Sequence, residues 1–297
     1  MARRFLISRL SSLGDVVCSL PAAAALKKGI PDAHVTWVVA APYLDVVRAC
    51  AAVDEVIDRD HWDPSPAEPF EAALDLQGLL KSAAVIARVK AERKLGYHWQ
   101  REGSALFSER VMPDPTSIHV VDQYVDVARA AGGEAGAADF CLEPDPEATA
   151  SMRPTVPADF VVVNPGSARA SKRWSPRHFA CLIDELPVKA VIVGGGWETS
   201  GDEVMALCKA GPVNLAGQTT ISELIALIGL AKAHIGGDTG STHIAAALGI
   251  PAIGLYSATR PERSCPYGQI GRCHYDPAGL DRIGPDEVLR TVKEVLA

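Results

Sequence analysis

Ile235-Gly-Gly-Asp-Thr-Gly-Ser-Thr-His-Ile-Ala-Ala-Ala-Leu-Gly-Ile-Pro251 is the stretch from which the fold is read. A short strand, His234–Ile235, runs into glycines and then opens a helix over Ser241–Leu248. Gly236, Gly237 and Gly240 let backbone N–H groups approach a ligand closely. Thr239, Ser241 and Thr242 add hydroxyls, and the helix N-terminus adds partial positive charge. Donors converging in this way describe an anion site, most naturally for a diphosphate. His243, one turn inside the helix, either donates to a phosphate or packs. A capped glycine turn is the plainer reading; the coincidence of so many donors favours the anion.

Outward from this stretch the same grammar repeats. Strands are predicted at Phe160–Val163, Ala190–Val193, Val213–Leu215 and Ala252–Leu255, with helices over Pro176–Leu186, Asp202–Lys209 and Ile221–Ala231. The first half offers strands at Arg4–Ser8, His34–Val39, Val53–Ile57 and Ala72–Leu76, with helices over Asp15–Lys28 and Gly78–Val89. Strand–helix alternation implies parallel sheets covered by helices on both faces. Between the halves, residues 143–157 hold Pro144, Pro146, Pro154 and Pro157, which reads as a linker. The prediction is an α/β protein of two Rossmann-like domains, 1–150 and 151–297, facing each other across a cleft. Ligands of such sheets sit at the carboxyl ends of the strands. Pro285–Ala297 reads as an amphipathic helix whose docking partner the sequence leaves open.

Three further clusters carry chemistry. Ser11-Ser-Leu-Gly-Asp15 joins the first strand to the first helix. Asp15 there reads either as a first-turn acid favoured by the helix dipole or as a carboxylate able to act as general base. The loop has neither GxGxxG nor Walker spacing, so it offers no dinucleotide or triphosphate cradle. Asn164-Pro-Gly-Ser167 is a turn after a strand, and Ser175-Pro176 starts a helix. Lys172 and Arg173 fall just outside that helix, on the edge that carries the glycine loop. Gly194-Gly-Gly-Trp-Glu198 follows another strand, where Glu198 suits a ribose diol.

Bulk properties narrow the class. The 297 residues, 48% hydrophobic and 22% charged, suit a globular chain of two domains. No apolar run reaches the roughly 18–20 residues of a membrane span. Arg9 interrupts the only signal-like N-terminal stretch. Seven cysteines without a CxxC pair argue against a disulfide framework or structural zinc; Cys265 and Cys273–His274 match no standard metal spacing. Residues 1–150 hold 15 basic and 22 acidic side chains, the remainder 14 and 14, so the net charge of −7 lies in the first half and disfavours nucleic acid. One stretch runs the other way: Lys81, Arg88, Lys90, Arg93, Lys94 and Arg101 face only Glu92 and Glu102. It reads as a solvated helix face or as a surface for an anionic partner.

Ser11-Ser-Leu-Gly-Asp-Val, Asp75-Leu-Gln-Gly-Leu-Leu-Lys-Ser82, Gly96-Tyr-His-Trp-Gln-Arg-Glu102, Lys172-Arg-Trp174, Gly195-Gly-Trp-Glu198 and Asp238-Thr-Gly-Ser-Thr-His243 stand in the order found in the ADP-heptose:lipopolysaccharide heptosyltransferases of glycosyltransferase family 9. The sequence resembles that family over nearly its whole length, and its type I members most. The resemblance implies a GT-B fold and a metal-independent, inverting transferase that needs no cofactor. It would move heptose from ADP-heptose to a Kdo residue of Kdo-lipid A, building the lipopolysaccharide inner core. It implies Asp15 as base and Lys172 at the donor phosphates, with Ser167, Glu198, Asp238, Thr239, Gly240 and His243 on the donor. Ser12, Gly14, Gln77, Lys81, Arg101 and His119 would meet the acceptor. Asp58-Arg-Asp60 matches a DxD metal motif by spelling only. The partners expected are an ADP-sugar, the anionic lipid acceptor and a transient contact with the inner membrane, which predicts a cytoplasmic enzyme. The alternatives are a GT-B transferase or epimerase using another nucleotide sugar, and a non-catalytic nucleotide-sugar binder.

Overall fold

The computed structural model describes residues 3–64, 68–134, 136–167, 172–195 and 200–297. They form two compact units, divided between Glu143 and Pro144.

In the first unit β1 (Arg3–Ser8), β2 (Ala33–Val39), β3 (Glu55–Asp58), β4 (Phe70–Asp75), β5 (Ala91–Tyr97) and β6 (Glu109–Val111) make one sheet, ordered β3-β2-β1-β4-β5-β6. Every pairing is parallel. Helices α1 (Leu13–Gly29), α2 (Leu44–Arg48) and α3 (Leu80–Arg88) lie between strands, and α4 (Val120–Ala130) follows β6. β1 is buried from Phe5 to Ser8 because helices cover both faces. Leu6, Val38 and Ala73 pack on one face against Val85 and Ile86 of α3, while α1 packs beside α4.

The second unit repeats the plan. α5 (Pro146–Met152) precedes β7 (Phe160–Asn164), α6 (Pro176–Asp184), β8 (Lys189–Ile192), α7 (Ser200–Met205), β9 (Val213–Asn214), α8 (Ile221–Leu230), β10 (Ala233–Gly237), α9 (Gly240–Ala247), β11 (Ala252–Tyr256), α10 (Pro261–Ser264), β12 (Cys273–Tyr275) and α11 (Pro285–Leu296). The strand order is β12-β11-β10-β7-β8-β9. Counted from each unit's first strand, both sheets follow the order 3-2-1-4-5-6 of a doubly wound fold. The topological switch points therefore lie at β1/β4 and at β7/β10, and the loops leaving those strands are where each unit gathers polar side chains.

Three sequence expectations are corrected. The proline-rich stretch is not a linker: Asp145 caps α5 by accepting from Glu147 N–H at 2.8 Å, and Pro146 takes the first helical position, where no N–H is needed. α5 then packs on α8 in the second unit. β5, β6 and β12 were not foreseen, since β5 starts Ala-Glu-Arg-Lys with no alternation and the other two have three residues each. The basic stretch is not one surface. Lys81 begins α3 at the carboxyl edge of the sheet, whereas Arg88 ends it, and Lys90 precedes β5, at the opposite edge. Arg88 lies over the Trp62 ring, 5.5 Å from its centre, and Arg93 donates to Ala130 O at 2.6 Å. The last helix docks inside the second unit: Val288 and Val292 are fully buried with Phe179 and Leu182 of α6.

Candidate active site

At the first switch point, β1 ends on Ser8 and the chain turns through Arg9–Ser12 into α1. Asp15 is the third residue of that helix, and its carboxylate accepts from the backbone N–H of Ser12 at 3.3 Å and from Ser12 Oγ at 2.9 Å. That is the reciprocal half of a capping box. Its other oxygen meets Arg9, whose guanidinium lies 2.8 Å away; the Arg9 side chain is 6% exposed and that of Asp15 48%. The capping reading of Asp15 is the one observed, and the residue presents a half-exposed carboxylate at the sheet's carboxyl edge.

Arg9 was missed from sequence. It donates to Leu76 O and rests over the Tyr124 ring at 5.2 Å, so β4 and α4 both fix it. Its signal was an arginine set between the apolar run Phe5–Ile7 and Leu10, an unusual place for a charge without a partner. Tyr124, fully buried, has its phenol pushed far up by desolvation.

β4 supplies the facing loop. Asp75 is wholly buried, and its Oδ1 accepts from the N–H groups of Gln77 at 3.0 Å and Gly78 at 2.9 Å, fixing the turn into α3. Burial raises its carboxyl pKa against those two bonds. Gln77 then accepts from Leu10 N–H at 2.9 Å. Lys81 donates to Ser11 Oγ at 2.6 Å, and Gln77 Nε2 reaches the same oxygen at 3.5 Å. Ser11, Ser12, Gln77, Lys81 and Asp15 thus share one edge, with Gly14 in the first turn of α1. Gly78 is required there: its φ is +67°, and a Cβ would stand 2.6 Å from Trp99 O. The 98–103 loop closes on it, with Arg101 N–H on Gly78 O at 2.8 Å. Arg101 itself lies over the Trp99 ring at 5.5 Å. His119 is buried as the N-cap of α4, its Nδ1 accepting from Val121 N–H at 3.2 Å. Asp58 is occupied by Asp60 N–H and by His61, at 3.1 and 2.7 Å.

The second switch point repeats this construction. Asn164 ends β7, and its Oδ1 accepts from Gly166 N–H at 2.9 Å, as Asp75 does after β4. Its Nδ2 donates to Ser241 Oγ at 2.8 Å and reaches Thr239 Oγ1 at 3.4 Å, tying the β7 turn to the start of α9. Thr242 Oγ1 donates to Gly237 O at 2.7 Å. Gly236 and Gly237 are tight positions, where a Cβ would meet His234 Cε1 at 3.0 Å and Lys172 O at 3.2 Å. Lys172 Nζ pairs with Asp238 Oδ2 at 2.5 Å, and His243 Nε2 lies 3.4 Å from Asp238 Oδ1. Burial would raise the Asp238 carboxyl, but His243 and Lys172 outweigh it and hold it well below the usual carboxylate range. His234, completely buried and bonded through Nε2 to Ser241 Oγ at 2.9 Å, has its pKa pushed down to about 3 by desolvation and by His243.

Lys172, Asp238, Thr239, Gly240 and His243 are therefore brought together around the N-terminus of α9. Ser167 is buried at the end of the β7 turn, its carbonyl accepting from Arg173 Nε at 2.8 Å. Glu198 and Ser171 lie outside the described residues. Among the described residues no group of three or more His, Cys, Asp or Glu side chains has metal-binding geometry, and no helix is long and apolar enough to cross a membrane.

Comparison with known proteins agrees with this architecture. The family model for glycosyltransferase family 9 (heptosyltransferase) matches residues 66–275. Lipopolysaccharide core heptosyltransferase OpsX of Haemophilus influenzae is 25% identical over 89% of this chain and 82% of its own. Lipopolysaccharide heptosyltransferase 1 of Escherichia coli K12 is 28% identical over 90% and 91%. The structure of E. coli ADP-heptose LPS heptosyltransferase II superposes with a TM-score of 0.82 at 21% identity, covering 99% of this chain and 98% of that one. A model that matches most of the chain, two switch-point sites and the two six-stranded parallel sheets of the GT-B fold together make this chain a glycosyltransferase, a member of glycosyltransferase family 9, the heptosyltransferase family.

Proposed function

We propose that this enzyme transfers heptose from ADP-heptose to a Kdo residue of Kdo-lipid A in the lipopolysaccharide core, with inversion and without a metal. The observation that carries the donor half is the Lys172–Asp238–His243 cluster at the glycine-opened start of α9. A fixed ammonium beside a helix N-terminus suits a leaving diphosphate. Asp238 keeps Lys172 extended toward that terminus, and Gly240, the first residue of α9, offers its backbone N–H. The family resemblance and the names of the relatives support heptose and the lipopolysaccharide acceptor.

In the first unit Asp15 is the base that takes the acceptor hydroxyl proton as that oxygen attacks the anomeric carbon. The C–O bond to ADP breaks as the new glycosidic bond forms, and charge developing on the diphosphate is met by Lys172 and the α9 terminus. Arg9 does not touch substrate in this scheme. It is a positioning residue that, with Ser12, holds the Asp15 carboxylate in one orientation. Lys81, Gln77, Ser11 and Arg101 line the acceptor edge, and Lys81 and Arg101 meet the acceptor's carboxylates and phosphates.

The test is a mass-spectrometric transfer assay with Kdo-lipid A and a panel of nucleotide sugars. ADP-heptose should be consumed, and ADP released, only when acceptor is present. ADP-heptose binding without turnover would turn the reading toward a non-catalytic binder, and turnover of another sugar would replace the donor. Asp15→Asn should fold and bind ADP yet lose at least about 10²–10³ in kcat, the scale of removing one catalytic group. Near-normal turnover would remove Asp15 from its role.

A further inference from the structure

We propose that the loops at the carboxyl edge of the first unit's sheet, beyond β4, β5 and β6, insert apolar side chains into a phospholipid bilayer, so that membrane contact is hydrophobic rather than electrostatic. Leu80, Trp99, Leu106, Phe107, Met112 and Ile118 are all exposed, Leu106 at 85% and Met112 at 69%. Among the described residues only Leu207, Ile270 and Tyr275 are comparable large exposed apolar side chains, and those lie in the other unit. The six come from three segments that hydrogen bonds and packing hold together. Glu102 accepts from Leu80 N–H at 3.2 Å, and the turn Ser104–Leu106 packs on α3. Gln100 donates to Ser108 Oγ at 2.8 Å. Val111, next to Met112, pairs with Tyr97 at the end of β5.

Exposed apolar side chains gathered this way mark an interaction surface. They come from the start of α3 and from two neighbouring loops rather than from one helix or strand face, so a fluid bilayer suits them better than a rigid protein partner. Charge does not explain the contact. Between 98 and 118 Arg101 and Arg110 face Glu102, Glu109 and Asp114, close to neutrality. Trp99 with Arg101 against its ring is the kind of pair that sits at a lipid interface, with the indole at headgroup depth and the guanidinium in water.

The choice of occupant rests on the acceptor reading above. A lipid-anchored acceptor keeps its acyl chains in the bilayer while its sugar reaches Asp15. Ser11, Gln77 and Lys81, which line that path, leave the same edge of the same sheet. This edge must then face the membrane.

The test is flotation of the full-length enzyme with vesicles of phosphatidylethanolamine and phosphatidylglycerol, and with pure phosphatidylcholine, at low and high salt. The wild type should float with both, with little loss in salt. Leu106→Ser and Met112→Ser together should weaken partition by at least about tenfold per side chain, while turnover of a soluble, deacylated acceptor stays unchanged. The Trp99 emission should shift to the blue on vesicle addition in the wild type. Four outcomes would overturn the proposal: no flotation, flotation indifferent to the variants, flotation only on the anionic vesicles and lost in salt, or a wild-type dimer that the variants convert to monomer. Flotation needs no turnover, so its failure leaves the transferase reading standing. Failure of the soluble-acceptor assay would instead strike the function.

Discussion

Arg9 and Asp15 show how one buried charge gives a surface carboxylate a fixed direction. Arg9 is held by Leu76 O, the Tyr124 face and Asp15, and a buried guanidinium that lost one of these would be costly. Arg9→Gln keeps polarity but shortens the side chain and removes charge and fork. Steady-state kinetics should show kcat lower by about 10- to 100-fold, with KM for ADP-heptose unchanged, since the proposed donor site lies in the other unit. Arg9→Lys should recover part of that loss, because charge returns without bidentate geometry. Equal losses in the two variants, or a raised donor KM, would mean that Arg9 is merely structural. Lys172→Ala should do the opposite, weakening ADP binding by calorimetry as well as lowering kcat by about 10²–10³. The placement of Asp15, Lys172 and the α9 loop beside strand–helix turns was legible in the sequence, because glycines, caps and prolines mark such turns locally. Arg9 was not, because its meaning comes from β4 and α4, which are distant in the chain.

At the scale of elements, the β10–α9 turn is tightly constrained. Asn164, His234, Ser241 and Thr242 bond one another or the turn backbone, so the helix start is pinned to the ends of β7 and β10. His234 makes that pinning sensitive to acid. Its folded pKa, about 3, lies below the unfolded value, so between about pH 3 and pH 6.5 the unfolded chain binds a proton that the folded chain refuses. Stability should be complete above about pH 6.5 and fall as pH drops, by on the order of 1.4 kcal/mol per pH unit from this residue. Asp238, with a depressed pKa, adds loss in the same direction below its unfolded value near 3.8. Urea melts from pH 7 to pH 4.5 test this: His234→Gln should flatten the slope, and an unchanged slope would show that His234 does not carry it. Helix starts such as α6 and α11 were legible from Ser175-Pro176 and from Pro285, where local chemistry suffices. β5 was not, since its charged start, Ala91-Glu-Arg-Lys, is made a strand by pairing with β4.

The whole molecule is two copies of one plan with separate cores, so ligand effects should be separable. A calorimetric scan is expected to resolve two transitions, and saturating ADP should move only that of residues 144–297, by about 2.7 kcal/mol at a hundredfold excess over Kd. A single transition moving as one would show that the units unfold together. By itself the sequence determined the α/β class, the two-fold repetition and the chemistry of the turns, because these follow from period, glycine placement and side-chain type within a few residues. Tertiary structure alone decided that the proline-rich segment is a helix of the second unit and that the last helix seats on α6. It also decided that Lys172 is tied to Asp238 and that the basic stretch divides between the two edges of its sheet. Each of these depends on which strand neighbours which, and that order is set by burying both faces of a sheet at once rather than by any local run of residues.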